Sequence, residues 1–146
     1  MPARITLVLV PFTLLAGADL GTKAVLRTAA WDYHQRSHAW SVFGFVAMCV
    51  LLLVGLLPSR LSAVAAGILA AGVAGNIASA HLHSGRVPNP IVVGAVAFNL
   101  ADVFVVVAAP LLTVALARVA IRHRVFIDRH VPPRRWELAL RRKLGL

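Results

Sequence analysis

The chain has 146 residues, of which 60% are apolar and 14% charged, against about half and a quarter in an average soluble domain. The excess stands in long uninterrupted blocks, which excludes a soluble amphipathic bundle, whose helices carry charge every turn or so. The formal charge is +10 and gathers after residue 117; with no nucleic-acid recognition motif beside it, it reads as orienting charge and as attraction to anionic lipid, and nucleic acid is not expected as a partner.

Four apolar segments, about residues 5–23, 39–57, 61–80 and 91–117, predict an all-α integral membrane fold, since ~20 mostly apolar residues cross ~30 Å of hydrocarbon. Residues 1–118 form the expected membrane domain and 119–146 a basic tail. The first segment reaches spanning length only if Asp19 and Lys23 lie on the helix. Ala16-Gly17-Ala18 mimics the cleavage site of a secretory signal peptide. A retained helix explains the segment better, because Asp19 and Lys23 are then spaced i,i+4 on one face.

In the second segment Trp40 and Phe43 suit an interfacial aromatic belt. The lone Cys49 lies mid-segment, so no intrachain disulfide forms. Pro58-Ser59-Arg60 is a short turn. The third segment holds Gly72 and Gly75 on one face for close helix packing, with Gly67 further round and adding less. It ends on Gly75-Asn76-Ile77-Ala78-Ser79, with Asn76 and Ser79 at i,i+3. His81 and His83 form a two-ligand fragment with no third ligand in view, so no metal or cofactor is expected. The fourth segment exceeds one span, so it tilts or begins outside the hydrocarbon. It carries Phe98-Asn99-Leu100-Ala101-Asp102, with Asn99 and Asp102 again at i,i+3, and Pro110 as a potential kink. Residues 125–146 are expected to hold a short amphipathic surface helix with Trp136 and Leu140 on one side, and Pro132-Pro133 breaks anything continuous before it.

Arg4, Arg60 and nine basic residues from Arg118 onward fall on one side of a four-span map, eleven against the four of Lys23, Arg27, Arg36 and Arg86. The richer side is predicted to be cytoplasmic, with both termini there. On this map Asp19, Lys23, Asn76, Ser79, Asn99 and Asp102 share one depth near the outer boundary. Strongly polar side chains within spans are costly and mark functional sites.

These residues carry a resemblance to the lipoprotein signal peptidases, the signal peptidase II family. Asp19-Leu20-Gly21-Thr22-Lys23 resembles the family's Asp-x-x-Ser/Thr-Lys motif. Gly75-Asn76 resembles the start of Gly-Asn-x-x-Asp-Arg, and Phe98-Asn99-Leu100-Ala101-Asp102 resembles Phe-Asn-x-Ala-Asp. The resemblance implies a four-helix bacterial inner-membrane aspartic endopeptidase that cleaves signal peptides from lipid-modified prolipoproteins. It implies a catalytic role for Asp102 and substrate-binding or structural roles for Asp19, Lys23, Asn76 and Asn99. The chain departs from the pattern where the family has its other catalytic aspartate and the following arginine, with Ser79 and Ala80.

Aspartic proteolysis needs two neighbouring carboxyls, one charged to activate water and one protonated to polarise the carbonyl. A hydroxyl at Ser79 cannot share that proton. A second group has to come from Asp19, Asp32, His81 or His83, or the chemistry has to change to a Ser79–Lys23 nucleophile pair. Two functions therefore stand open: a divergent peptidase, or a pseudoenzyme that binds a lipidated peptide or lipid without cutting it.

Overall fold

A computed structural model describes residues 2–130 together with Arg142, Lys143 and Gly145. Four helices follow one another: α1 (Pro2–Val25), α2 (His38–Val54), α3 (Arg60–Leu82) and α4 (Leu100–His130). Contacts between them set an alternating up-and-down arrangement. Val8 meets Gly67 and Asp19 meets Gly75, so α1 runs parallel to α3. Gly44 meets Ile77 and Gly55 meets Ala66, so α2 runs antiparallel to α3. Ala101 meets Gly72 near one end and Leu112 meets Ala65 and Ala66 near the other, so α4 is antiparallel too.

α3 is the centre of this bundle. It buries Ala63, Ala65, Ala66, Ala70 and Ala71 with three glycines, and small residues let backbones approach where lipid supplies no hydrophobic drive between helices. A side chain on Gly72 would come within 2.7 Å of the Ala101 carbonyl, and one on Gly75 would collide with the Asp19 carboxylate. The two therefore admit different helices rather than one neighbour. Gly67, expected to add less, is as tight: its Cβ would strike the Val8 carbonyl of α1.

α1, α3 and α4 each contain a stretch long and apolar enough to cross a membrane, Ala3–Val25, Arg60–Leu82 and Leu100–His123. α2 is apolar and shorter, 17 residues, or about 26 Å at helical rise. Large apolar side chains such as Phe43, Phe45, Leu53 and Val114 remain exposed, as lipid-facing surfaces require. The chain is a helical membrane-spanning protein.

Two features differ from the sequence-based expectation. The predicted second span ends three residues early, at Val54, where Gly55 packs against Val8 and the 55–59 turn begins. The predicted fourth span does not start at residue 91. Residues 91–98 form an antiparallel hairpin, β3 (Ile91–Val93) and β4 (Val96–Phe98), turning on Gly94 at φ 61°. Apolar periodicity cannot separate a short buried strand from a helical turn, and Gly94 was the signal for a tight two-residue loop. A second ladder pairs β1 (Tyr33–Gln35) with β2 (Arg86–Pro88), placing His34 opposite Val87. The fold is thus four helices with a small β layer at one end.

At the other end α4 runs on to His130, so the expected boundary at residue 118 falls inside a helix. The surface helix expected around Trp136 and Leu140 lies outside the described residues.

Candidate functional site

The bundle has an apolar half and a polar half. Ala65, Ala66 and Leu112, with Leu51, Val54, Leu69 and Leu116 around them, form the apolar core. Toward the β layer the packing becomes a continuous hydrogen-bond network.

It begins on α1. Asp19, fully buried, accepts the Lys23 ammonium at 2.7 Å on one oxygen and the Ala101 backbone N–H at 2.9 Å on the other. The i,i+4 spacing puts both on one helix face, and the buried pair is the one ion pair among the described residues. Lys23 also donates to Asn76 Oδ1 at 2.9 Å, and Asn76 Nδ2 donates to Asp102 Oδ1 at 3.2 Å. The amide therefore stands between ammonium and second carboxylate, so Lys23 reaches Asp102 through Asn76 rather than directly.

Asp102 and Asn99 lock the start of α4. Asn99 Oδ1 accepts the Asp102 N–H at 3.1 Å, and Asp102 Oδ2 accepts the Asn99 N–H at 3.2 Å. This is a reciprocal capping box that satisfies two otherwise orphaned donors. Asn99 is consequently the residue before the helix, and its i,i+3 relation to Asp102 is a cap rather than a shared helix face. Its Nδ2 continues outward to Asn89 Oδ1 at 2.7 Å, and Asn89 Nδ2 meets His34 Nδ1 at 2.9 Å. Asn89 is 1% exposed and anchors the loop to both ladders, also donating to the Ala97 carbonyl. Sequence reasoning missed it. Its one signal was an asparagine set between Pro88 and Pro90, which reads as an ordinary turn.

A cleft of about 370 Å³ opens between α2, α3 and α4. Trp40 and Gly44, Gly72 and Val105 give it apolar walls, and Asn76 and Asp102 supply polar groups. Trp40, expected in an interfacial belt, lines this cleft and carries the Arg36 guanidinium 4.8 Å above its ring. Phe43, by contrast, is exposed.

Ser79 is fully buried, and its hydroxyl donates to the Gly75 carbonyl one turn back at 2.7 Å. It is paired neither with Lys23 nor with Asp102. The other candidates for a second group are also engaged or apart. Asp19 is held by Lys23 and Ala101. Asp32 sits in the 3-10 turn Ala30–Asp32, where its carbonyl accepts the Asn89 N–H. His83 Nδ1 meets the Ser79 carbonyl at 2.9 Å, and its ring tilts against Tyr33. His81 is exposed. Among the described residues none of these side chains hydrogen-bonds to Asp102, and no group of three His, Cys, Asp or Glu side chains is placed to hold a metal ion.

The expected convergence of Asp19, Lys23, Asn76, Asn99 and Asp102 at one depth is thus seen as direct bonding, while Ser79 lies at the same level but turned into its own helix. Chemically, the cleft offers an apolar wall for a chain and one half-buried carboxylate, oriented by two donors, to accept hydrogen bonds from a ligand. Compared with protein-family models, curated proteins and solved structures, the chain matches none.

Proposed function

We propose that this protein is a signal peptidase II-like membrane protein that holds a lipid-modified signal peptide, or a lipid, in the α2–α3–α4 cleft and does not hydrolyse it. The observation that carries the reading is the Asn76–Asp102 contact at the cleft. Where hydrolysis needs a second carboxyl sharing a proton with Asp102, the position that would supply it holds Ser79, whose hydroxyl bonds the Gly75 carbonyl of its own helix. A carboxylate whose orientation is set by Asn76 Nδ2 and the Asn99 N–H is pre-organised to accept a peptide N–H. The apolar walls suit the acyl chains or the apolar core of a signal peptide, and the bacterial inner membrane is the compartment this reading implies.

The test uses the full chain in detergent with a diacylglyceryl-modified prolipoprotein. Saturable binding without cleavage is expected, weakened about tenfold by Asp102→Ala, as loss of one charge-assisted hydrogen bond predicts. Cleavage by the natural sequence that disappears in Asp102→Asn would instead establish a divergent aspartic peptidase. Absence of binding sinks both readings.

A further inference from the structure

The end of the bundle opposite the cleft has a site of its own. There the uninterrupted apolar run of α4 ends at Ala117, just before Arg118, beside the 55–59 turn and the first turn of α3. Between them lies a cavity of about 200 Å³, with Pro58, Ser59 and Leu61 on one side and Arg118, Arg122 and His123 on the other. Arg118 and Arg122 are one helical turn apart and exposed. Neither has a carboxylate partner among the described residues. The carboxylates whose side chains are described, Asp19, Asp32 and Asp102, all belong to the polar half. Two guanidinium groups thus face one cavity without a counter-charge among the described residues.

We propose that this cavity binds the phosphodiester of an anionic phospholipid headgroup. Guanidinium presents a planar fork of donors that matches phosphate oxygens two at a time. Position selects lipid as the source of that phosphate. The cavity opens where the apolar stretch of α4 ends, which is the depth of the headgroups, and exposed apolar side chains such as Val114 and Leu111 of α4 continue from it along the acyl region. The site is independent of the cleft: sixteen residues of α3 separate Arg60 from Asn76, about 24 Å along the axis. It also differs from diffuse attraction to the arginine-rich tail, because it depends on the two arginines that line the cavity.

The full chain is reconstituted in nanodiscs of phosphatidylcholine doped with phosphatidylglycerol, extracted gently, and the retained lipid is counted by native mass spectrometry. Selective retention of phosphatidylglycerol is expected. Arg118→Gln/Arg122→Gln lowers its affinity about 30-fold, at roughly fivefold for each basic residue near an anionic surface. Arg134→Gln/Arg135→Gln leaves it within about threefold, and Arg118→Lys/Arg122→Lys falls between, having charge without the fork. Equal loss in the tail variant and the cavity variant, or no loss in either, overturns the site. Displacement of the lipid by millimolar inorganic phosphate would show a free-anion site and overturn the lipid assignment. Unchanged thermal unfolding of the exposed-residue variants guards against misfolding as the cause.

Discussion

Lys23 is the residue on which the polar half turns. Its ammonium satisfies Asp19 on its own helix and Asn76 on α3, and it does so almost fully removed from solvent. Lys23→Met leaves the Asp19 carboxylate buried without a cation and is expected to cost about 3–5 kcal/mol. Asp19→Asn in the same background recovers most of that loss, because the stranded charge is gone. Chemical unfolding in mixed micelles, run on the two singles and the double, measures the coupling. Ser79 gives the opposite kind of test. Its buried hydroxyl donates to an acceptor, the Gly75 carbonyl, so Ser79→Asp sets a carboxylate where a donor stood. With Ala80 following it, no arginine is at hand to compensate. A stability loss of about 3 kcal/mol is expected, read as a lowered midpoint in the same assay. If Ser79→Asp is instead neutral and cleavage of the prolipoprotein appears, the cleft has kept a working geometry for a carboxyl pair.

The most consequential element boundary is the start of α4. Asn99 caps the helix, and Asp102 returns the bond from its third position. Asn99→Ala removes a cap worth about 1 kcal/mol and also leaves Asn89 Oδ1 without the donor that Asn99 Nδ2 supplies. Faster amide exchange is expected in two places at once, the first turn of α4 and the β1–β2 ladder. Exchange confined to α4 would mean that Asn89 is held without Asn99. Glycine positions supply a paired control. Gly72→Ala puts a methyl 2.7 Å from the Ala101 carbonyl, so α3 and α4 must separate, at about 1–3 kcal/mol for overpacking. Gly17→Ala meets nothing within 4 Å and is expected to be neutral or slightly stabilising. Element identity was plain in the sequence for α3, whose apolar run is long, while α1 reached spanning length only by carrying Asp19 and Lys23. It was not plain for residues 91–98, where eight mostly apolar residues suit a strand or a helix equally and a hairpin resulted.

Across the whole molecule, the alternating helix order puts the β layer and the cleft at one end and the 55–59 turn with Arg60, Arg118 and Arg122 at the other. Positive charge predicts that the second end is cytoplasmic. In a Cys49→Ser background, a cysteine at Gly94 is expected to react with a membrane-impermeant maleimide applied to intact cells. A cysteine at Ser59 is expected to react only after permeabilisation. The reverse pattern inverts the molecule and moves the cleft to the cytoplasmic face. α2, at 17 residues, is the element whose depth the same scan decides, by labelling at His38.

Membrane character, helix order and the shared depth of Asp19, Asn76, Asn99 and Asp102 were set by the sequence itself. Apolar blocks need lipid, charge orients them, and alternating passes bring distant polar residues to one level. Which of those residues bond to which was decided by tertiary packing. Gly75 lets α1 close enough for Asp19 to reach the Ala101 N–H, Asn76 is turned between Lys23 and Asp102, and Ser79 is left facing its own helix. Asn89 enters the network only because two short ladders fold back over the helix ends. Such pairings depend on rotations and offsets between helices of a few ångströms, and a linear pattern of residue types carries no term for them.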